Sequence, residues 1–582
     1  MKALKLLFCF LSFTFSLSFS YGQNWDWARD GYGTSMKTDA YGSSLATDNK
    51  GDVYLTGNFS NTIVFTPYSL TSIGEEAYLI KYDSVGTIIW VVSAADSFPS
   101  QSEGSSVATD AWGNVYVTGG FYGATTFGSI TLRAKNNGYA TFLIKYNSAG
   151  NVLWAKQSVP HYFNNFNSSY SVATDKFSNV FITGYFEDTV SFGPDTMINP
   201  AVTTFCIIKY DSAGNVLWTN FAHRPNAGHY STYTTYGCSV ECDAIGNAYV
   251  LGLFCDTLCF NTDTLIGSPV GSTSAFLVKY SSLGSFVWAK QSRGTSVNSS
   301  VYASSLTLDM ADNIYITGYF SDTVKFGYQT LYSPTYTSWM TFLSKYDSAG
   351  NVLWAKQSSV GWVGSTVSSD ELNNIYLEGS SDYYYTNADT FKFGNYKMQP
   401  SPSVVNSTYL IKLDTSGNVL YGSIVNNLGV DLGATRGGVA SDSSGQYVYL
   451  AGCFQNDTII CAGDTFPPPG GSDEDIFIAR WGYVKSTSNG VVTIKSSTPS
   501  ISLFPNPNNG IFTLRANGQQ ILVNSNIEIY NMLEEKVYFH YQITNLSNYQ
   551  IDLSGQPAGV YLYRIVSENG ALLGDGKFVI QK

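Results

Sequence analysis

Between Trp27 and Trp481 one pattern of apolar and polar positions recurs seven times. Its clearest copy reads Ala108-Thr-Asp-Ala-Trp-Gly-Asn-Val-Tyr-Val-Thr-Gly119 and resumes as Thr141-Phe-Leu-Ile-Lys-Tyr-Asn-Ser-Ala-Gly-Asn-Val-Leu-Trp-Ala-Lys156. Each copy holds four short segments. The first, 105–109 in this copy, is small and polar, as the crowded axis of a ring requires. The second (114–118) and third (141–146) are rich in β-branched and aromatic residues and predict strands. The fourth (152–156) carries a tryptophan that returns as Trp90, Trp154, Trp218, Trp288 and Trp354, with Tyr421 replacing it once. The aligned aspartates are Asp48, Asp110, Asp175, Asp243, Asp309, Asp370 and Asp442, about 61–72 residues apart. Asp-x-x-Gly joins segments one and two, and a similar turn such as Asp211-Ser-Ala-Gly214 joins three and four. Asp caps the first turn amides and Gly supplies the left-handed fourth position. A period of this length with four strands per unit predicts the stacked blades of a propeller.

The seventh copy stops at Asp475-Ile-Phe-Ile-Ala-Arg-Trp481 without its fourth segment, and Trp25-Asp-Trp-Ala-Arg29 near the other terminus matches what is missing. A last blade that borrows its outer strand from the N-terminus would leave no free sheet edges. The expected fold class is therefore all-β: a seven-bladed β-propeller over 23–481, closed by an N-terminal strand. The Thr-Gly after segment two, the Phe-Leu-Ile-Lys-Tyr strand and the Gly-Asn-Val-Leu-Trp ending resemble bacterial SBBP-type β-propeller repeats over about 455 residues. A looser similarity to quinoprotein repeats, usually eight-bladed, brings no recognisable cofactor-binding residues, and no cofactor is expected.

Lys2 and Lys5, the apolar run 6–19, and Ser20 and Gly22 ahead of Gln23 have the layout of a secretory signal peptide over 1–22. No later run is long and apolar enough to predict a transmembrane segment in the mature chain. Residues 482–500, rich in Ser, Thr and Gly, read as a linker. The remaining 501–582 reads as a small Ig-like β-sandwich with strands at 501–504, 511–515, 527–530, 536–541, 549–553, 560–566 and 576–580. Three motifs resemble the C-terminal sorting domain (type A-like) of type IX secretion cargo in Bacteroidetes. They are Phe504-Pro-Asn-Pro-Asn-Asn-Gly510, Ile527-Glu-Ile-Tyr-Asn-Met-Leu533 and Leu553-Ser-Gly-Gln-Pro-Ala-Gly-Val-Tyr-Leu-Tyr563 with the final strand 577–582. The positions carrying the match are Pro505, Asn506, Pro507, Gly510, Gly559, Tyr561 and Lys577; Glu534 departs from the family's usual Gly. An ordinary fibronectin-like domain is the plain alternative. The resemblance implies export to the exterior or the cell surface through Sec and the type IX secretion machinery.

Composition narrows the partners. Charged residues are 13% of the chain and aromatics 15%, and 31 basic against 43 acidic residues leave a net charge of −12. With no basic stripe, neither nucleic acid nor an anionic membrane surface is an expected partner. The long connections share the face opposite the tight turns, where binding residues usually sit. They carry Tyr162, Phe166, Tyr170, Tyr230, Tyr233, Tyr236, Trp339 and Tyr384 among Asn, Ser and Thr, a mixture suited to glycan or protein. These aromatics would otherwise pack loops onto the blades. The tight-turn face is expected to offer little. Catalysis has weak support: His223 and His229 lack a third ligand type beyond Cys238, and Glu75, Glu76, Asp96 and Glu103 form no pair in sequence. Asp-Ser/Thr-aliphatic tripeptides such as Asp83-Ser-Val85 and Asp188-Thr-Val190 resemble Bacteroidetes O-glycosylation acceptors, although turn chemistry selects the same residues. Cys453 and Cys461 flank one turn and form a candidate hairpin disulfide. The expected function is a non-enzymatic secreted or surface propeller binding glycan or protein. A polysaccharide lyase or glycosidase, and a purely structural adhesion scaffold, are the alternatives.

Overall fold

A computed structural model describes residues 23–34, 39–96, 100–135, 138–161, 167–223, 235–267, 272–334, 338–381, 390–400, 407–426, 438–442, 444–454, 458–462, 464–466, 474–483, 500–517, 525–531, 536–543, 549–567 and 572–582. The regular elements described are all β-strands. The chain separates into two compact units, Met1–Val484 and Lys485–Lys582.

In the first unit each sequence repeat folds antiparallel, as the second shows. Gln101–Thr109, Val115–Tyr122, Tyr139–Tyr146 and Val152–Pro160 pair in chain order, with Gly104 opposite Gly119, Val117 opposite Ile144 and Lys145 opposite Trp154. Both faces of the second strand are covered. Val115 and Val117 pack toward Tyr54 and Leu79 of the preceding repeat, whereas Tyr116 packs toward Val172, Val180 and Ile182 of the next. The two-residue side-chain period thus feeds two inter-sheet cores from one strand, which is why the segment reads as almost continuously apolar.

The repeat aspartates do more than cap turns. Asp110 Oδ1 accepts the amides of Trp112 (3.0 Å) and Asn114 (2.9 Å), while Oδ2 accepts the buried Tyr116 hydroxyl at 3.0 Å and lies 4.0 Å from Lys145 Nζ. Tyr54 on Asp48, Tyr249 on Asp243, Tyr315 on Asp309 and Tyr376 on Asp370 repeat the arrangement. Burial first, then the facing carboxylate, pushes these tyrosines above their ordinary range, as at Tyr116 and Tyr315. The outer-strand tryptophans staple repeat to repeat. Trp27, Trp90, Trp154 and Trp218 donate Nε1–H to the carbonyls of Ser84, Ser148, Ser212 and Ser282, one repeat on, at 3.1–3.2 Å. Each ring lies on that turn's glycine; a Cβ at Gly86 would stand 2.7 Å from Trp27.

The strand Gln23–Gly33 pairs antiparallel with Asp475–Tyr483, setting Trp25 opposite Trp481 and Ala28 opposite Ala479. The second-to-third connections differ from expectation. They are not open loops but β-hairpins, such as Ala124–Phe127 with Ile130–Arg133, and Thr323–Phe326 with Gln329–Tyr332. In four of them a Phe-Gly makes the turn: the glycine sits at φ near +55 to +59 (Gly128, Gly193, Gly327, Gly394), and the phenylalanine (Phe127, Phe192, Phe326, Phe393) is buried. These hairpins also meet the preceding repeat's outer strand, as Ser158–Pro160 pairs Val190–Phe192.

The expected Cys453–Cys461 disulfide is not formed. Cys461 shares a cluster with Phe454, the neighbour of Cys453 on its strand. Adjacent strand residues point to opposite faces, so the Cys453 thiol faces away, toward Tyr78, whose pKa it helps raise after burial. Both remain buried thiols.

The second unit consists of two antiparallel sheets, one of Ser500–Phe504, Ile511–Asn517 and Tyr549–Asp552, the other of Ser525–Asn531, Lys536–Ile543, Gly559–Ser567 and Leu572–Ile580. Phe512, Leu514, Ile527, Ile529, Ile551, Tyr563, Ile565 and Phe578 fill the core between them. Asn506 Oδ1 accepts the Val579 amide at 2.9 Å, Asn508 N–H donates to the Val579 carbonyl at 2.9 Å, and Gln581 N–H returns to Asn508 O at 2.7 Å. The Pro505-Asn506-Pro507 segment is thereby fastened to the last strand, beside Lys577, whose carbonyl accepts Asn506 Nδ2 at 3.4 Å. Gly510 sits at φ +102, where a Cβ would stand 2.7 Å from Ser554 Cα. Tyr561 donates to the Pro557 carbonyl at 2.8 Å, and Gly559 faces Ile580 across the sheet.

Candidate functional site

The first strands of the repeats, Ala40–Thr47, Gln101–Thr109, Ser168–Thr174, Tyr236–Cys242, Ser300–Leu308, Trp362–Ser369 and Gly438–Ser441, line one channel of about 430 Å³. Hydroxyls link neighbours around it: Thr47 Oγ1 donates to Ser441 O (2.8 Å), Thr109 to Thr47 O (2.7 Å), Thr174 to Thr109 O (2.7 Å) and Ser441 to Ser369 O (2.8 Å). Small residues occupy this wall because the strands crowd together. Each of the first six first strands carries a bulge, and five of the bulged residues are Ser43, Ser105, Cys238, Ser304 and Ser365. The third repeat puts Tyr170 there instead, and Tyr170 borders the channel. Glu241 also borders it, and burial pushes its carboxyl up to about 7.

Tyr170 begins an aromatic rim on the face opposite the Asp-x-x-Gly turns. Its ring lies 5.7 Å from Tyr185 and 5.3 Å from Tyr236. Tyr302 and Tyr319, paired across adjacent strands, stack at 5.1 Å and 15°. Trp339 stands edge-on to both, at 5.6 and 5.3 Å. On the other side Tyr122 and Tyr139 pair at 5.4 Å. The groups continue one another electrostatically. The Tyr236 hydroxyl is raised by burial and then by neighbours that include Tyr319 and Tyr302; Tyr185 is raised by burial and by Glu187, Glu103 and Tyr139. The rim rings are partly exposed, with carboxylates between them. Such a surface can stack on flat or apolar ligand faces and accept hydrogen bonds at its edges.

Of the aromatics expected from sequence, Tyr170, Tyr236 and Trp339 belong to this rim. Tyr162, Phe166, Tyr230, Tyr233 and Tyr384 lie outside the described residues, as does His229. Sequence reasoning missed Tyr122, Tyr139, Tyr185, Tyr302 and Tyr319 because they stand at strand ends rather than in long loops. For Tyr185 and Tyr319 the signal was a tyrosine directly after the Thr-Gly of the second strand, Thr183-Gly-Tyr185 and Thr317-Gly-Tyr319.

Of the carboxylates that sequence left unpaired, Glu76 and Asp96 come together, through the main chain of Asp96. Glu76 Oε1 accepts the Asp96 amide at 3.3 Å, and Asp96 Oδ2 accepts the Ser102 hydroxyl at 2.8 Å. Both are buried, and desolvation raises both, Glu76 to about 7. Asn58 donates to Glu75 beside them. His223 exchanges backbone hydrogen bonds with Cys259 at 3.0 and 2.8 Å. Among the described residues no group of three or more His, Cys, Asp or Glu is placed to hold a metal. The tight-turn face also differs from expectation: its turn tips carry large exposed apolar side chains, Trp112 and Leu283 among them.

No helix among the described residues is long and apolar enough to cross a membrane. The chain is 27% identical over 274 residues to an uncharacterized WD repeat-containing protein of Acanthamoeba polyphaga mimivirus, covering 38% of this chain and only 18% of that relative's length. Among solved structures, an unknown-function protein from Dyadobacter fermentans superposes with TM-score 0.36 and 10% identity over 79% of this chain and 99% of its own. A DUF4221 family member from Bacteroides vulgatus gives 0.31 and 10% over 79% and 97%. PorZ, an essential surface component of the type IX secretion system of Porphyromonas gingivalis, gives 0.12 and 8% over 94% and 99%. Superpositions at this level carry no argument about fold or activity. The C-terminal unit is different: residues 502–581 match the secretion system C-terminal sorting domain, so the chain ends in a type IX sorting tail and is a secreted or cell-surface protein handled by that machinery.

Proposed function

We propose that residues 23–481 form a seven-bladed, SBBP-type β-propeller closed by the N-terminal strand, which a Bacteroidetes cell exports behind a signal peptide over 1–22. In this reading 482–500 is a linker and the Ig-like 501–582 is the sorting domain. The propeller is a non-enzymatic binding module that takes a glycan or a protein segment on its aromatic rim. The Tyr170–Tyr185–Tyr236 and Tyr302–Tyr319–Trp339 groups carry the proposal. Partly exposed rings beside Glu103 and Glu187 offer stacking faces and acceptors together, the combination that carbohydrate hydroxyls and ring C–H faces use.

A glycan array probed with the mature chain, with surface-protein capture run in parallel, tests the rim. Trp339→Ala and Tyr185→Ala are expected to weaken the ligand found by about 1–3 kcal/mol each. Ser84→Ala and Ser212→Ala on the turn face should leave affinity unchanged. Equal losses from both faces would overturn the assignment, and turnover of a bound polysaccharide would favour the enzymatic alternative.

A further inference from the structure

The tight-turn face presents apolar side chains that turn chemistry does not call for. An Asp-x-x-Gly turn needs its Asp and its Gly; the two tip positions point outward and are usually polar. Here the tips between first and second strands carry Trp112, Phe177, Ile245, Met310 and Leu372 in five successive repeats, and Leu283 adds a sixth from a third-to-fourth turn. Their exposures run from 62% at Phe177 to 85% at Leu283. By contrast, the third-to-fourth turns at 147–150, 211–214 and 347–350 place Ser-Ala at their tips.

The tips form one surface. Asn49 Nδ2 donates to Ala111 O at 3.4 Å, the Met310 amide donates to Asn373 Oδ1 at 2.9 Å, and a Cβ at Gly445 would meet Leu372 Cδ1 at 3.0 Å, so neighbouring turns touch. These side chains expose on the order of 900 Å² together, against roughly 800 Å² per partner in a stable interface. Monomers seldom leave an apolar patch above about 300–600 Å².

We propose that this face is a dimer interface and that its occupant is a second copy of the same chain, packed face to face. The exposed apolar area fits that partner, and one two-fold register pairs opposite charges off the axis, with Lys50 facing its own copy on it. In a ring of seven repeats, a two-fold axis across the face through the first repeat sets repeat three over repeat six, four over five, and two over seven. Lys176 and Phe177 then lie over Glu371 and Leu372 of the second copy, and Ile245 lies over its Met310. Trp112, the bulkiest tip, meets the turn ending in Ser444 and Gly445, among the smallest. The register rests on the seven-repeat propeller reading and not on ligand binding at the rim.

Sedimentation equilibrium of the mature chain between about 1 and 100 μM, which brackets a micromolar association, tests the proposal. Wild type is expected to dimerise, and the Phe177→Ser/Leu372→Ser variant to be monomeric with its β-sheet circular dichroism intact. Lys176→Glu alone should weaken the dimer at least tenfold, and Lys176→Glu/Glu371→Lys should restore it. A monomeric wild type, or a dimer indifferent to the serine variants, overturns the proposal. Co-sedimentation of a monomeric wild type with phospholipid vesicles would assign the face to lipid instead. Loss of the dimer in the serine variants without rescue by the charge swap would overturn the register, leaving the rim reading untouched.

Discussion

At the scale of single residues, the repeat aspartates were legible as turn formers, because Asp four positions before a main-chain amide it must cap leaves a fixed spacing. Their second partners were not, since Tyr116 and Lys145 arrive on Asp110 from two different strands. The sixth repeat holds a residue that neither pattern explains. Where Thr118 and Thr317 donate to main-chain carbonyls at the matching place, Glu378 stands wholly buried, accepting from Thr366 Oγ1 at 2.8 Å. Its Oε1 has no hydrogen-bond partner among the described residues. Burial pushes the carboxyl up to about 8, so the folded chain keeps its proton at neutral pH. The unfolded chain loses that proton near 4.5. Between these values the folded state binds more protons, so stability falls as pH rises from about 4.5 to about 8, and the loss is complete above that window. Glu378→Gln should therefore flatten the decline in urea-unfolding free energy between pH 5.5 and 8.5 by about 3 kcal/mol. Glu76 and Glu241, both raised to about 7, leave a residual slope. An unchanged slope would mean that Glu378 is ionised in the fold.

Among the elements, the strands were the most readable feature, because every one is bounded by turn residues and recurs at the same offset. The hairpins in the second-to-third connections were not read, although Phe-Gly recurs in four repeats, at Phe127, Phe192, Phe326 and Phe393. A loop expectation treats such spacing as variable linker, whereas a buried Phe followed by a left-handed Gly makes a two-stranded clasp. The N-terminal strand was legible through Trp25-Asp-Trp-Ala-Arg29, and its pairing carries a measurable consequence. Trp27 is buried against Tyr82 and Tyr449, at 6.3 and 5.9 Å, and Ala28 is buried on the strand Asp475–Tyr483. Deleting residues 23–33 would uncover that strand's edge and remove Trp27 from the core. The first unit should lose at least about 3 kcal/mol, the scale of a buried tryptophan truncation, and should aggregate through the bared edge. A melting temperature equal to wild type would show that the strand is dispensable.

For the molecule as a whole, what sequence disclosed depended on whether the signal was local or assembled. The sorting tail was readable because each motif is a short run whose partners follow within the same unit. The rim was only partly readable, since Tyr170, Tyr236 and the Tyr302–Trp339 pair come from three different repeats and meet only after the strands are arranged. Tyr170 was readable as an aromatic of a long connection but not as a channel residue, because a bulge, rather than the strand's alternation, aims it there. Locality also makes the tail testable as a module. Asn506 and Asn508 fasten the Pro505–Pro507 segment to the last strand, and Glu528 gathers Lys536 (2.7 Å), Tyr530 (2.8 Å) and Arg564 on the sheet. These bonds lower the Glu528 carboxyl to about 2 against the desolvation that opposes them, so the cluster stays charged at any physiological pH. Recognition by the export machinery should then require the folded tail and nothing from the repeats. Removing residues 501–582 in the native host is expected to leave the repeat region in the periplasm, and joining those residues to a folded reporter should carry the reporter outside. Asn508→Ala, which strips the side-chain bonds from Oδ1 to the Gly510 amide (2.8 Å) and from Nδ2 to the Pro505 carbonyl (3.3 Å) and so loosens the Pro-Asn-Pro segment, should lower surface yield without altering the repeat region's stability. Cell fractionation that finds the truncated chain on the surface at the wild-type level would show that the address lies in the repeats.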